Sequence, residues 1–174
     1  MAHYSLGQRP LLLASWAKKA ATQLRKTLEK EFGPDARPIF VYRGMSGIAH
    51  ATALSLEWER RSRSWMRQLP GSFAYVRKPN EKSHGCEVEF EIAPNLDNAP
   101  IIPVFVDDFV SSGETRVRTM RAFHMQAPYR LMASDFMNIS QVRFIQAIAT
   151  SDSRSDEAFV SVQSWETMKS SFPA

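Results

Sequence analysis

The 174-residue chain lacks the features that mark secreted, membrane-spanning and zinc-binding proteins. It has one cysteine, Cys86, so an intrachain disulfide is impossible and a cytoplasmic location is predicted. No zinc-ligand spacing occurs, and no apolar run reaches the roughly 20 residues of a membrane-spanning helix. The apolar stretch LLLASWA continues at helical spacing to Leu28. We therefore predict an amphipathic helix over residues 10–32, ended by Gly33-Pro34, rather than a leader peptide.

A large charge of either sign is also absent. The chain has 22 Lys and Arg residues against 18 Asp and Glu residues, which gives a net charge of +4. This mild excess suits anionic small molecules as well as nucleic acid. The arginines of WERRSRSWMR, residues 58–67, favour a solvated helix face or a dimer edge, so nucleic acid is not the expected partner. The length predicts a single domain over residues 1–174.

The apolar patterning alternates strands with helices. Strands are predicted at 38–42, 72–79, 86–92, 101–106, 141–150 and 157–165, and helices at 10–32, 46–67 and 113–125. This order is typical of an α/β protein with a mostly parallel sheet. Ligands of such sheets bind beyond the carboxyl ends of the strands, where segments 43–47, 77–85 and 107–115 are expected to lie.

The segment SSGET, between a predicted strand and a predicted helix, has the composition of an anion cradle. Its small residues let backbone N–H groups turn inward, its hydroxyls donate, and the helix that follows directs its positive end at the same spot. The lysine of a P-loop is missing, and a single glycine does not make a dinucleotide fingerprint. Asp107 and Asp108 precede the cradle, so sugar hydroxyls or Mg²⁺ are expected between them and a bound phosphate.

With these features, PVFVDDFVSSGET, residues 103–115, resembles the phosphoribosyl pyrophosphate motif of type I phosphoribosyltransferases. The resemblance implies that ribose and its 5-phosphate are bound by Asp107, Asp108, Phe109, Val110, Ser111, Ser112, Gly113, Glu114 and Thr115. Many members have a second glycine where this chain has Glu114. We interpret Glu114 as a first-turn helix residue whose carboxylate points away from the phosphate.

Two further segments resemble loops of the same family. YVRKPNEKSHG, residues 75–85, is similar to the flexible catalytic loop of the orotate phosphoribosyltransferase branch, with a spacer one residue longer. VYRGMSGIAHATAL, residues 41–54, is similar to the pyrophosphate-binding loop. The resemblance implies pyrophosphate binding by Tyr42, Arg43, Gly44, Met45, Arg77 and Lys78, and catalytic roles for Lys82, His84 and Asp108. Taken alone, either segment also fits an ordinary solvated turn.

The resemblance implies a mostly parallel five-stranded sheet flanked by helices, with its core at about 36–150. A small hood over the acceptor base would come from the N-terminal helix, the C-terminal segment 126–174, or both. The implied activity is Mg²⁺-dependent transfer of phosphoribosyl to a nitrogenous base by a homodimer, with Asp107 and Asp108 contacting Mg²⁺ indirectly. Orotate and purines stay open as acceptors. A phosphoribosyl pyrophosphate sensor that binds nucleic acid, and a catalytically silent protein, are the alternatives.

Overall fold

The residues that the structure describes form six strands and three helices in an α/β arrangement. The computed structural model describes residues 10–64, 72–78, 81, 86–91, 100–108, 113–126, 143–149 and 158–164. In chain order the elements are α1 (Pro10–Phe32), β1 (Arg37–Tyr42), α2 (Gly44–Ser64), β2 (Ser72–Val76), β3 (Val88–Glu91), β4 (Ile101–Asp107), α3 (Glu114–Gln126), β5 (Arg143–Ala149) and β6 (Ala158–Ser164). All nine lie where the sequence pattern predicts them, so the α/β class is confirmed.

The strands form one mixed sheet in the order β3-β2-β1-β4-β5-β6. The four central strands are parallel, whereas β3 and β6 run antiparallel to their neighbours at the two edges. The expected five-stranded, mostly parallel sheet was therefore wrong in strand number and in its edges. Strand β6 returns directly beside β5, from Ala149↔Ala158 to Arg143↔Ser164, and an antiparallel return of this kind needs no crossover helix.

Helices cover both faces of the sheet, which explains why the central strands are apolar throughout. On one face, α1 and α2 bury Trp16, Leu24 and Leu54 against Phe40 and Val104. The opposite face is packed against α3, and its core is formed by Ile39, Val41, Val76, Phe105, Met120 and Phe123. Because side chains alternate along a strand, β4 must supply apolar residues to both layers, and all of its residues are buried.

The observed helix and strand boundaries agree with the predicted ones in some places and differ in others. Helix α1 ends at Phe32, and Gly33 follows with φ +96°, as the Gly-Pro signal predicts. Helix α2 begins at Gly44, two residues before the predicted start. Strand β3 is shorter than expected. None of the described helices is long and apolar enough to cross a membrane.

Helix α1, a candidate for the hood, packs against α2, β5 and β6 on one face of the sheet. Its Trp16 ring lies edge-on to His50 of α2, with 4.9 Å between ring centroids, and both side chains are fully buried. His50 is thus a core residue of the helix layer. In the C-terminal segment 126–174, the other candidate for the hood, residues 143–149 and 158–164 form strands β5 and β6 of the sheet, and the remainder beyond Gln126 lies outside the described residues.

Candidate active site

The chemically rich segments meet at one edge of the sheet. Strands β2, β1 and β4 are consecutive and parallel, so their carboxyl ends lie side by side. Arg77-Lys78 follows β2, Arg43-Gly44 follows β1, and Asp107-Asp108 ends β4. The sequence predicted a shared edge for these segments. The sheet order adds that the turn after β1 lies between the basic segment and the acidic pair.

Lys78 lies across the turn that follows β1. A Cβ built on Gly44 would stand 3.1 Å from Cε and 3.4 Å from Nζ of Lys78. Gly44 also has φ +71°, a backbone conformation that side-chain-bearing residues rarely adopt. Glycine is therefore required here for its backbone and for the room it leaves. The contact brings the Lys78 ammonium to the first residue of α2, where helix N–H groups and the helix dipole also favour an anion.

The start of α2 is packed directly onto the strand ends. A Cβ built on Gly47 would lie 3.1 Å from Cβ of Tyr42 and 3.4 Å from the carbonyl oxygen of Val106. This close approach fixes the first helical turn against β1 and β4. Arg43, in the same turn, is 9% exposed, whereas Met45 is 82% exposed. Of the predicted pyrophosphate-binding residues in this turn, Arg43 is thus held by packing, and Met45 projects into solvent.

Arg77 is placed differently from Lys78. Its guanidinium forms an ion pair with Glu89 of β3, and its backbone N–H donates to the Glu87 carbonyl at 2.9 Å. The hydrogen bond to Glu89 is also the main cause of the raised pKa of Arg77. The predicted pair of pyrophosphate-binding cations is therefore divided in this structure. Lys78 points to the β1 turn, and Arg77 joins the two strands at the β3 edge.

Glu81 anchors the start of the segment between β2 and β3. Its Oε2 accepts hydrogen bonds from Oη of Tyr75 at 2.7 Å and from the backbone N–H of Lys78 at 3.1 Å. The Tyr75 bond, and then the Lys78 bond, lower the pKa of Glu81. Burial, and then the same Glu81 bond, raise the pKa of Tyr75 to about 12. Lys82 and His84, the predicted catalytic residues of this segment, lie outside the described residues.

The acidic pair ends β4 with its two carboxylates in different environments. Asp107 is 7% exposed, and its Oδ1 accepts the backbone N–H of Asp108 at 3.0 Å. Asp108 is half-buried. Asp107 is therefore oriented by the backbone of its own turn, whereas Asp108 is more accessible to a ligand. The next four residues, Phe109, Val110, Ser111 and Ser112, lie outside the described residues.

Beyond that gap the chain enters α3 through Gly113. Gly113 has φ +78°, and its carbonyl accepts the N–H of Val117 at 3.1 Å, which is the first helical hydrogen bond. Glu114 and Thr115 follow, both exposed. Glu114 forms an ion pair with Arg118, one turn further along the helix. Its carboxylate is therefore held along α3, in line with the expected orientation away from the cradle.

The oxygen donors at this edge suit Mg²⁺ better than a transition metal. Mg²⁺ is usually held by one or two carboxylates, with water and substrate phosphates completing its coordination. Asp107 and Asp108 supply two such carboxylates. In the part of the chain that the structure describes, no group of three or more His, Cys, Asp or Glu side chains is placed to hold a metal. The residues thus fit a Mg²⁺ ion that is bound largely through a substrate.

One residue near this edge was missed by the sequence reasoning. Arg116, the third residue of α3, is 9% exposed, and its guanidinium donates to Oε1 of Gln146 on β5. A basic residue in the first turn of a helix, where acidic residues are favoured, is the signal that could have drawn attention to it. Its partner is 30 residues away in sequence, so the contact itself could not be predicted.

Comparisons with known proteins identify no relative from which a function could be inferred. No protein-family model, curated protein or solved structure matches the chain at a significant level. The support for a function consists of the sequence motifs and the arrangement of their described residues at the carboxyl edge.

Proposed function

We propose that the chain is a Mg²⁺-dependent phosphoribosyltransferase, which transfers phosphoribosyl from phosphoribosyl pyrophosphate to a nitrogenous base and releases pyrophosphate. The observation that carries the proposal is the convergence of three motif segments on adjacent parallel strands. The acidic pair, the β1 turn and Lys78 share one edge, and the Lys78 side chain reaches from the end of β2 to Gly44 at the end of the neighbouring β1. Such an edge offers separate groups for a diol and for a pyrophosphate.

The fold we propose is a type I phosphoribosyltransferase fold with an antiparallel strand at each edge. The parallel order β2-β1-β4-β5, with helices on both faces, supports this assignment. The motifs also follow the strands that the resemblance requires, since the pyrophosphate loop follows β1 and the acidic motif follows β4. A homodimer is part of the proposal, and sedimentation equilibrium would test it.

The acidic pair and α3 would hold the sugar phosphate. Asp107 and Asp108 accept hydrogen bonds from the vicinal ribose hydroxyls, and Asp108, the more accessible of the two, acts as the general base for the acceptor nitrogen. The N–H groups at the start of α3, together with the Thr115 hydroxyl and the preceding loop, hold the 5-phosphate. These contacts fix the anomeric carbon opposite the acceptor, which lowers the entropic part of the barrier.

The leaving group would be stabilised by cations on the other side of the edge. During transfer, the bond from the anomeric carbon to the pyrophosphate oxygen breaks, and that carbon forms a bond to the base nitrogen. Negative charge grows on the pyrophosphate, where Lys78 and Arg43 stabilise it. Mg²⁺, when bound with the substrate, would neutralise further charge on the pyrophosphate oxygens. Arg77, which is paired with Glu89 of β3, is not assigned to this group.

The decisive experiment measures pyrophosphate release from phosphoribosyl pyrophosphate and Mg²⁺ in the presence of orotate, uracil, adenine, guanine, hypoxanthine or xanthine. Release that depends on one base supports the proposal and identifies the acceptor. If no base supports release and phosphoribosyl pyrophosphate fails to raise the melting temperature, the proposal is wrong. A raised melting temperature without release would favour the sensor alternative.

The sensor alternative gains little from the basic part of α2. Arg60 and Arg61 both hydrogen-bond to Glu57, so part of the charge that nucleic acid would use is neutralised within the helix. Salt-sensitive binding of RNA or DNA would revive that alternative.

A further inference from the structure

Glu81 binds both backbone polar groups of Lys78. Its Oε2 accepts the Lys78 N–H at 3.1 Å, and its own backbone N–H donates to the Lys78 carbonyl at 3.0 Å. The same Oε2 accepts the Tyr75 hydroxyl at 2.7 Å. Because the N–H and the carbonyl of Lys78 are both held, the direction in which its side chain leaves the main chain is fixed as well.

The side chain that leaves this backbone reaches Gly44. Its Cε and Nζ lie 3.1 Å and 3.4 Å from the position that a Cβ on Gly44 would take. A free lysine side chain has rotamer entropy of about 2 kcal/mol, so it does not hold one direction by itself. Fixing the backbone of Lys78 limits the positions that the ammonium can reach, and it keeps the region at the start of α2 among them.

Tyr75 connects Glu81 to the turn that Lys78 faces. The rings of Tyr75 and Tyr42 lie on neighbouring strands in register, with 5.5 Å between their centroids. Tyr42 is the last residue of β1 and directly precedes the Arg43-Gly44 turn. The backbone of Lys78 and the turn that its side chain faces are therefore both attached to this pair of tyrosine rings, which fixes one relative to the other.

The carboxylate of Glu81 is unfavourable for pyrophosphate binding on electrostatic grounds alone. An anion beside Lys78 repels the ligand and offsets part of the lysine charge. The charge does strengthen the hydrogen bonds, since bonds to an ionised acceptor are roughly twice as strong as neutral ones. The bond from Tyr75, and then the bond from Lys78, favour the ionised form and lower the pKa of Glu81. What Glu81 can contribute to this site is therefore geometry.

A purely structural role for Glu81 would be to close the start of the segment between β2 and β3. The backbone bond to the Lys78 carbonyl does this with any residue except proline at position 81, because it uses no side chain. The carboxylate adds two further bonds, one to the Lys78 N–H and one to the ring that packs on Tyr42. Closure of the segment leaves these bonds unexplained, whereas a residue that orients Lys78 requires them.

We propose that Glu81 is a positioning residue, whose carboxylate is held by the Tyr75 hydroxyl and directs Lys78 to the pyrophosphate site at the turn after β1. The inference rests on the proposed phosphoribosyl transfer, in which Lys78 stabilises the departing pyrophosphate. It adds Glu81 and Tyr75 to the residues that determine kcat, although neither has to touch the substrate. Removing this negative charge then lowers turnover, whereas electrostatics alone predicts an increase.

The test is a double-mutant cycle between Glu81→Ala and Lys78→Met, measured by pyrophosphate release. We expect Glu81→Ala to lower kcat by about fivefold, with less than about a twofold change in the KM for phosphoribosyl pyrophosphate. In the Lys78→Met background the same substitution should lower kcat by less than about twofold, because no ammonium is left to position. Glu81→Gln keeps an acceptor oxygen and should recover much of the activity, and Tyr75→Phe should lose about threefold.

Glu87→Ala is the matched control. Glu87 is an exposed carboxylate at the other end of the same segment, and its Oε2 accepts from Gln126 of α3 at 3.2 Å. This variant removes the same charge, and its kcat should stay within about twofold of the wild-type value. An unchanged or raised kcat in Glu81→Ala overturns the inference, and so do equal losses with and without Lys78. Melting temperatures identify unfolding, and if Glu81→Ala unfolds, Tyr75→Phe takes its place in the cycle.

Pyrophosphate binding separates this inference from the proposed function. The affinity for pyrophosphate with Mg²⁺ is measured by isothermal titration calorimetry for each protein of the cycle. If no base supports release, but pyrophosphate binds and the double variant loses no more affinity than Lys78→Met, the positioning role stands and the transferase fails. If a base supports release and the two substitutions lower kcat independently, the transferase stands and the positioning role is wrong. A chain that neither releases nor binds pyrophosphate refutes both.

Discussion

The α1–α2 layer and the carboxyl edge of the sheet both carry charged groups, but they arrange them differently. In the helix layer, Glu57 accepts hydrogen bonds from Arg60 at 2.9 Å and Arg61 at 2.7 Å, three and four residues further along the same helix. At the carboxyl edge, Arg43, Lys78 and Asp107 lie at or just beyond the ends of three different strands. The first set is compensated within one helical turn, whereas the second depends on the sheet for its assembly.

Because of this difference, we expect the helix layer to contribute mainly to stability and the carboxyl edge mainly to function. Charges that pair along a helix contribute to the folded state wherever the helix forms, and they need no ligand. Charges that the sheet gathers at one edge come from separate segments of the chain, and binding sites for charged substrates are built from groups assembled in this way. Substitutions in the helix layer should therefore change the free energy of unfolding, and substitutions at the edge should change turnover.

The largest effect is expected from Asp107→Asn combined with Asp108→Asn. Loss of both negative charges should lower kcat/KM by about 10³-fold, since the ribose hydroxyls lose their charged acceptors. The fold should persist, because the amide oxygen introduced at position 107 can still accept the N–H of residue 108. Pyrophosphate release and the melting temperature are the measurements. Asp35→Asn, in an exposed turn, is the control, and full turnover by the double variant would remove the acidic pair from the site.

Gly44→Ala should give the next largest effect. The new Cβ would meet the Lys78 side chain, and the backbone would be held at φ +71°. We expect about 100-fold lower kcat/KM, because the new Cβ would displace the Lys78 ammonium and would also shift the turn whose N–H groups are proposed to face the pyrophosphate, and misplacement by about 1 Å is enough for such a loss. The strain should also cost about 1–2 kcal/mol in the free energy of unfolding.

Gly33→Ala is the matched control for this variant. Gly33 has a similar backbone conformation, φ +96°, but among the described residues, its two chain neighbours aside, no atom lies within 4 Å of the position its Cβ would take. It should cost a similar free energy of unfolding and leave turnover unchanged. Equal losses of turnover in both variants would show that backbone strain, and not the Lys78 contact, determines the effect.

Lys78→Met tests the cation without disturbing the turn. Methionine retains much of the side-chain length, so the variant mainly removes charge, and we expect kcat to fall by about tenfold with a smaller change in KM. Lys26→Met, at an exposed position on α1, is the control and should behave like the wild type. A rise in the KM for phosphoribosyl pyrophosphate with kcat unchanged would mean that Lys78 binds the substrate without favouring the departure of pyrophosphate.

The contrast between contacts within one element and contacts made by the sheet also explains which features could be predicted from the sequence. Helix and strand positions were predictable, because periodicity and Gly-Pro signals are local. The grouping of segments 43–47, 77–85 and 107–115 at one edge followed from the rule for parallel strands. The apolar patterning also predicted six strands, whereas the resemblance implied a five-stranded sheet. Contacts such as Lys78 on Gly44, or Arg116 on Gln146, depend on strand order, register and side-chain direction, for which the sequence contains no local signal.

The smallest effect is expected in the helix layer, from Glu57→Gln. Hydrogen bonds from Arg60, and then Arg61, hold the pKa of Glu57 at about 2, below its usual value of 4.5. A carboxylate with a lowered pKa stabilises the fold above its unfolded pKa, and this contribution disappears as the pH falls towards 2. Since Arg60 is largely exposed, we expect Glu57→Gln to cost only about 1 kcal/mol at pH 7.

Urea denaturation at a series of pH values measures this dependence. The difference in unfolding free energy between the wild type and Glu57→Gln should be constant above about pH 5 and should shrink between pH 5 and pH 2. Turnover at pH 7 should stay unchanged, because the Glu57 cluster belongs to the helix layer. Glu29→Gln, which removes the exposed partner of Arg25 on α1, is the control and should show a smaller difference. A loss of turnover in Glu57→Gln without a loss of stability would contradict the separation of the two regions, since it would make the helix layer part of the site.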